Sequence, residues 1–400
     1  MNEQMPKIIF VDDEHAMLAA YERLLRDMRN TWQMTFVDSS EKALAEFSRG
    51  DFDIIVADIG LPGMDGFALL REIMTKSPST IRLIVSGRSD DETVLNSLKV
   101  AHQYLFKQTD VMRIKEAIQN AIDVHGAFEK EQFKKVMSRV QDLPSLPRLY
   151  NRLLGEIAHE HSSMDVIGDI VSEDVAMTAK VLRIVNSPYF GLRRDIRTPK
   201  EAVRYLGTET LKTMVLAVEL FSSLKLEPSL MDYSSTLWDH SITVGAFSRL
   251  IAASEGAQKL DVDNAFSAGV LHDVGKIVMM LNFPGPYANF LRELSERKDV
   301  IIFDLERDYF GVSHQEVGGY LLRVWGIPNA IVEPVLFHHQ PMHEEAFFSS
   351  ITTVQSADLL YYLVRNNSFA CRHFTADYRA QICSHYRFND WQEICRNYSR

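Results

Sequence analysis

The sequence predicts two domains of different class: an α/β domain with a five-stranded parallel sheet over the first 125 residues, then an all-α domain. Three observations predict it. Five short runs in the first 125 residues are almost wholly apolar and alternate with helical patterns. Strands buried on both faces of a parallel sheet read this way. After Pro147, helical periodicity dominates and strand signals are few. Between the halves stands Leu143-Pro144-Ser145-Leu146-Pro147, whose prolines stop a helix and mark a boundary. The expected organisation is an α/β domain at 1–125, a helical linker at 126–142, a helical domain at 143–365 and a helical tail at 366–400.

The elements follow in order. The first strand is KIIFV at 7–11, which ends at Asp12-Asp13-Glu14, and a helix follows at about 16–28. Residues 34–37 (MTFV) form the second strand and 40–47 an amphipathic helix. The third strand, DIIVA at 53–57, ends at Asp58, and Leu61-Pro62-Gly63-Met64-Asp65-Gly66 is a loop of turn-forming residues. A helix at 67–76 leads to the fourth strand, IRLIV at 81–85, which ends at Ser86-Gly87. Helix 91–99, strand 102–106 and helix 110–124 complete the domain.

The polar residues fall at strand ends. Asp12 and Asp13 follow strand one, Asp58 strand three, Ser86 strand four and Lys107 strand five. In a doubly wound sheet these ends meet in one crevice. Three crowded carboxylates repel and need a cation, and oxygen ligands favour a hard ion such as Mg²⁺. A carboxylate there can act as nucleophile toward phosphorus, with Lys107, Ser86 and the ion sharing the phosphoryl charge. This set resembles the receiver domain of two-component response regulators, a flavodoxin-like fold, over residues 5–125. The resemblance implies an Mg²⁺-binding acid pair at Asp12 and Asp13, a phosphoacceptor at Asp58, a hydroxyl switch at Ser86 and the family's lysine at Lys107. Tyr104 takes the place of a switching aromatic, and Gln108 stands where the family usually has proline.

Residues 110–140 contain no proline, and Gly126 is their one weak point for a helix. Apolar residues at Val111, Ile114, Ile118, Ile122, Val136 and Val140 allow one sticky stripe. Two readings stand side by side: a last helix followed by a solvated linker, or a rigid connector or dimer helix. Beyond Pro147, helices are expected at about 147–160, 165–172, 175–186, 199–206, 208–223 and 233–255. Others are expected at 262–282, 286–299, 301–310, 314–325, 328–337 and 350–365. Ser313 and Glu316 form a capping box, and Gly326 with Pro328 ends the helix it starts.

The helical half carries its own chemistry in Leu271-His272-Asp273-Val274-Gly275-Lys276-Ile277. On one continuous helix, His272 and Asp273 stand about 100° apart, so an ion fits over the ridge between them. Lys276, four residues beyond His272, shares its face and is placed to meet a phosphate. His240, His314, His338, His339 and Asp358 stand on other helices or at their ends. Five imidazoles and two carboxylates make a mixed nitrogen–oxygen set suited to Fe, Mn, Zn or Co. The order resembles the HD superfamily of metal-dependent phosphohydrolases. That resemblance implies ligands at His240, His272, Asp273 and Asp358, with His314, His338 and His339 as the extra ligands of its two-metal branch. The text around them, LPSLP at 143–147, KVLRIVNSPYFG at 180–191, TPKEAVRYLG at 198–207 and WGIP at 325–328, is similar to the HDOD domain. HDOD domains are regarded as signalling modules related to HD hydrolases. Gln340-Pro341-Met342-His343 replaces the GYP segment of cyclic-di-GMP phosphodiesterases.

Composition narrows the classes further. A chain of 400 residues, 46% hydrophobic and 24% charged, has the balance of a soluble globular protein. A net charge of −11 and the lack of a basic recognition helix argue against nucleic-acid binding. Three cysteines form no disulfide framework and fit a reducing cytoplasm. MNEQMPKIIFVDDEH is no signal peptide, and no apolar run reaches membrane-spanning length. The tail pairs Cys371-x-His373 with Cys383-x-His385 ahead of Cys395, a spacing that matches no zinc finger, and is read as helical. The expectation is a cytoplasmic response regulator phosphorylated on Asp58 by a sensor histidine kinase or phosphotransfer protein. Two outputs are carried forward: an HDOD module that acts on a downstream signalling protein, with a homodimer if 110–140 self-associates, or an HD-type phosphohydrolase acting on a nucleotide or cyclic dinucleotide.

Overall fold

A computed structural model describes residues 5–77, 80–86, 100–101, 103–107, 147–157, 163–187, 194–222, 226–297, 300–340, 349–365 and 374–398, with isolated positions between 114 and 136. The chain divides into two compact units. One comprises 1–139 with 145–151 and 323–326; the other comprises 140–144, 152–322 and 327–400.

In the first unit, apolar runs become strands β1 (Lys7–Val11), β2 (Gln33–Val37), β3 (Ile54–Ala57), β4 (Ile81–Ser86) and β5 (Gln103–Phe106). They pair in parallel in the order β2-β1-β3-β4-β5. All residues of β3 and β4 are buried, as expected of strands covered on both faces. Helices α1 (His15–Leu24), α2 (Ser40–Phe47) and α3 (Gly66–Lys76) lie between strands. Ser39 and Asp65 cap α2 and α3 by accepting from the Lys42 and Ala68 amides. The strand order reverses between β1 and β3, so Asp12 and Asp58 flank the switch point. The expected helix 91–99, the linker 126–142 with all its stripe but Val136, and the Leu143-Pro144 boundary lie outside the described residues. So does the side chain of Tyr104.

Beyond Pro147 the described residues are helical wherever they are regular. In chain order, α4 to α8 span Arg148–Ile157, Met164–Ser172, Val175–Val185, Pro199–Leu206 and Thr208–Ser222. Helices α9 to α13 span Pro228–Ser254, Lys259–Leu271, Val274–Asn282, Pro284–Glu296 and Ile302–Phe310. Helices α14 to α18 span His314–Val324, Asn329–Phe337, Ser350–Val364, Ala376–Cys383 and Phe388–Tyr398. One half of the capping box forms: the Ser313 amide donates to the Glu316 carboxylate, and the Ser313 hydroxyl donates to that same carboxylate in place of accepting from the Glu316 amide. Asn186 explains part of the NSPYFG text, because its side chain donates to the Ile196 carbonyl and accepts from the Ile196 amide. Among the described residues, no helix is long and apolar enough to cross a membrane.

One expected element is corrected. The helix expected over 262–282 breaks at His272-Asp273, so the two side chains are not placed by a 100° step on one helix. The His272 Nδ1 bonds the Gly269 carbonyl at 2.7 Å, which satisfies an acceptor freed where α10 ends. The Lys276 amide then bonds the Asp273 carbonyl at 3.0 Å as α11 begins.

Two glycine contacts bring the site-bearing helices together. A Cβ on Gly269 of α10 would lie 2.8 Å from the Gly245 Cα of α9. A Cβ on Gly275 of α11 would lie 1.9 Å from the His314 carbonyl oxygen and 2.7 Å from the Gly318 amide of α14. Only glycine permits either approach. The first draws His240 toward His272, and the second draws His314 toward Asp273.

Candidate phosphoryl and metal sites

The first site sits at the carboxyl ends of β1, β3, β4 and β5. Asp12, Asp13 and Asp58 each present an oxygen within 4.8 Å of the others. The Lys107 ammonium lies 3.0 Å from both Asp12 and Asp58 and 3.1 Å from Glu14. Asp58 Oδ1 accepts from the Ile59 amide at 2.8 Å, and Asp12 Oδ1 accepts from the Glu14 amide at 3.0 Å. Ser86 is buried at the end of β4, and its carbonyl accepts from the Lys107 amide. Burial raises the Asp12 carboxyl and outweighs the lowering by Lys107. Burial lowers the Lys107 ammonium, but its bonds to Asp12 and Asp58 outweigh this and raise it. All five predicted residues gather here. Glu14, a third carboxylate on the lysine, went unmarked in the sequence although it adjoins the acid pair.

The second site is a buried knot of imidazoles around Asp273. His272, His314, His338 and Asp358 are 0% exposed, Asp273 and His339 2%, and His240 5%. One carboxylate serves two groups. Asp273 Oδ2 lies 3.5 Å from His240 Nε2 and 3.4 Å from His272 Nε2, whereas Oδ1 lies 3.3 Å from His314 Nε2 and 3.7 Å from His338 Nε2. His339 joins the second group, and Asp358 approaches His240 Nε2 at 3.3 Å. All seven predicted ligands therefore converge. Lys276 arrives as well, but donates to Asp273 Oδ2 at 2.7 Å and is 1% exposed, facing a carboxylate instead of open solvent.

Three imidazoles are oriented from behind. The Nδ1 of His272 meets the Gly269 carbonyl and that of His338 the Val335 carbonyl, each at 2.7 Å. The Nδ1 of His314 meets Glu306 Oε2 at 2.6 Å. These acceptors assign the ring protons to Nδ1, so the Nε2 lone pairs turn inward. His314 Nε2 and His338 Nε2 then face each other at 3.1 Å. Two lone pairs at that distance repel unless a proton or a cation joins them. The donor set fits a divalent transition ion, as its nitrogen–oxygen chemistry implied. Glu306 was missed in the sequence; its signal was a carboxylate among Ile302, Leu305 and Phe310 on the buried stripe of α13.

The same contacts shift the titrating groups of the knot in opposite directions. Burial alone would raise the Asp273 carboxyl, but His272 and Lys276 hold it well below the usual carboxylate range. Burial lowers the Lys276 ammonium, yet Asp273, Tyr233 and Glu306 outweigh it and raise it. Burial pushes His338 down to about 4 and lowers His240 despite Asp358. For His272, Asp273 outweighs burial and the direction is upward. Among the described tail residues, Cys383, His385 and Cys395 join no ligand group; the His385 ring stacks on Trp391 instead. Cys371 and His373 lie outside the described residues.

A family model described as a response regulator receiver domain matches residues 8–119, and one described as an HDOD domain matches 143–341. An uncharacterized protein of Treponema pallidum is 27% identical over 225 residues, covering 56% of this chain and 43% of that protein. The transcriptional regulatory protein ZraR of Salmonella typhimurium is 32% identical over 116 residues, 29% of this chain and 26% of the regulator. The chain thus spans less than half the length of these curated relatives. An HDOD domain protein of unknown function from Geobacter sulfurreducens has a solved structure with a TM-score of 0.50 and 27% identity, covering 66% of this chain and 86% of that one.

Proposed function

Because the chain belongs to the response regulators that join an N-terminal receiver domain to an HDOD domain, we propose that a phosphoryl group on Asp58 governs an output made through protein contacts, with a metal-holding centre inside the HDOD domain. The donor is a sensor histidine kinase or a phosphotransfer protein. In the receiver, Asp12, Asp13 and Asp58 would hold Mg²⁺, which supplies charge neutralisation at the phosphoryl oxygens. Asp58 Oδ2 attacks phosphorus while Oδ1 stays on the Ile59 amide, and the phosphorus–nitrogen bond of the donor's phosphohistidine breaks, its electron pair leaving on the imidazole. Lys107 leaves its carboxylate partners to pair with the new phosphoryl oxygens, and the Ser86 hydroxyl turns toward them. The linker 126–142 would carry that change to the output.

In the HDOD domain, His240, His272, Asp273 and Asp358 on one side and His314, His338 and His339 on the other would hold Fe, Mn, Zn or Co. Such an ion supplies Lewis acidity and cross-links several helices. Enclosure carries the preference for protein contacts over turnover: no ligand is more than 5% exposed, and Lys276 is spent on Asp273. A nucleotide needs a cleft that buries most of its surface beside the reacting atoms.

One preparation tests both halves. Acetyl phosphate with Mg²⁺ should add one phosphate by intact mass, and Asp58→Asn should abolish it; labelling that survives places the nucleophile elsewhere. The same protein, reconstituted with Fe, Mn, Zn or Co, should retain metal and turn over no nucleotide or cyclic dinucleotide. Turnover lost in Asp273→Ala would replace the contact reading with that of a phosphohydrolase. Metal below a tenth of an equivalent would remove the metal centre.

A further inference from the structure

The C-terminal tail touches three of the elements that build the buried centre, although it lies beyond the stretch matched as an HDOD domain. Phe374 is fully buried, and its ring meets the His339 imidazole edge-on at 5.3 Å; Phe303 of α13 stacks on the same imidazole at 5.7 Å. Tyr378 of α17 donates its hydroxyl to the His338 carbonyl at 3.3 Å. Farther on, Tyr378, Trp391 and Cys395 share a core with Phe247 of α9 and Leu360 of α16, the helices that supply His240 and Asp358. The far end is pinned just past α9, where Glu255 Oε1 accepts from Trp391 at 2.8 Å and from Arg387 at 3.0 Å.

His338 and His339 are the ligands most in need of such support. They follow the end of α15 and sit in a turn, whereas His240 and Asp358 are fixed inside long helices. We propose that the tail, residues 374–398, is a positioning element of the metal centre: Phe374 sets the plane of the His339 ring, Tyr378 holds the His338 backbone, and tail docking and metal occupancy favour each other. The idea rests on the metal reading above. Its linkage is reciprocal by thermodynamic necessity: if a docked tail tightens metal binding, bound metal must stabilise the docked tail by the same factor.

The test uses the full chain with Zn²⁺, and Co²⁺ as a spectroscopic probe. Zn²⁺ should slow amide exchange across 376–398 in the wild type. Phe374→Ala should weaken Zn²⁺ binding by about tenfold, the lower end for residues that orient ligands, and shift the Co²⁺ absorption bands. Phe374→Tyr should restore both. Tyr378→Phe keeps the packing and removes one hydroxyl, so it stays informative if Phe374→Ala does not fold; it should weaken binding by a smaller factor. Variants that melt early but bind Zn²⁺ with wild-type affinity and an unaltered Co²⁺ spectrum reduce the tail to ordinary packing and overturn the proposal. So does exchange across 376–398 that ignores Zn²⁺. A wild type that takes up neither metal overturns the proposal together with the metal reading, and separates that failure from one confined to the tail.

Discussion

Glu306→Gln is the sharpest probe of the buried centre, because it alters a residue behind a ligand without touching the ligand. Glu306 is fully buried, and its Oε2 accepts from His314 Nδ1 at 2.6 Å and from the His314 amide at 2.9 Å. Glutamine keeps the shape and removes the charge. Hydrogen bonds to charged groups contribute about 1.5–3 kcal/mol and neutral ones about 0.5–1.5, so each contact weakens by roughly 1–1.5 kcal/mol. The Nδ1 contact sets how strongly His314 Nε2 donates its lone pair. If that loss passes to Nε2, metal affinity falls by about 1–1.5 kcal/mol, or roughly 5–12-fold. The result overlaps the lower end of the 10–100-fold (roughly) seen when such supporting residues are changed. Stability of the metal-free protein should change less, because a neutral side chain costs less to bury. The assay is competition for Zn²⁺ against a chromogenic chelator at pH 7, with circular dichroism to confirm the fold. Affinity within twofold of wild type in a folded variant would refute the account of Glu306 as the tuning group.

Gly275→Ala places a methyl carbon 1.9 Å from the His314 carbonyl, so backbone must move. Overpacking of this kind costs about 1–3 kcal/mol, which lowers the melting temperature of a domain this size by roughly 2–12 °C. Metal affinity should fall as well; an unchanged melting curve would mean that α11 and α14 do not meet this closely. The pH dependence of the metal-free protein follows from the imidazoles. His240 and His338 are held down in the folded state, so as pH falls through the ordinary histidine range the unfolded chain binds protons that they refuse. His272 is raised and opposes them, contributing stability below its ordinary value that is lost as pH rises. His338→Gln removes one lowered group, so the variant should lose less melting temperature than the wild type, or gain more, between about pH 7 and pH 5. The same pH response in variant and wild type would contradict the assignment.

Much of this was legible in the sequence because it depends on short-range pattern. Asp12, Asp58 and Ser86 end apolar runs, and the strand order of a doubly wound sheet brings such ends together whatever lies between. Helix ends were legible wherever a cap or proline stood, as at Ser313 and Pro199. The break at His272-Asp273 was not, since the apolar period runs through LHDVGKI without a glycine or proline at the turn. What decides it is an imidazole bonding the carbonyl of Gly269 and a helix packed against Gly275, and neither leaves a mark on the period. Glu306 and Phe374 were missed for a related reason. Each acts through a contact across many residues, Glu306 on His314 and Phe374 on His339, and a single sequence carries no register for such pairs.

The geometry also bears on why the helical domain would carry so many ligands. An isolated charge or polar group in a core is costly unless it is paired. Asp273 has Lys276, whose 2.7 Å contact satisfies one oxygen. That leaves the His314–His338 pair, whose Nε2 atoms approach to 3.1 Å with both ring protons held on Nδ1, a contact unfavourable without a shared proton or cation. Apolar residues of similar volume would pack the same space at no such cost. A core that holds five imidazoles and two carboxylates is therefore stable because something binds them, or else it surrenders stability. A cation would turn that repulsive contact into ligand bonds, and the residues that would hold it come from α9, α10, α14 and α16 and the turn after α15. Occupancy would then stiffen the packing of those elements, and a surface built on them could be read by a partner without any substrate reaching the ion.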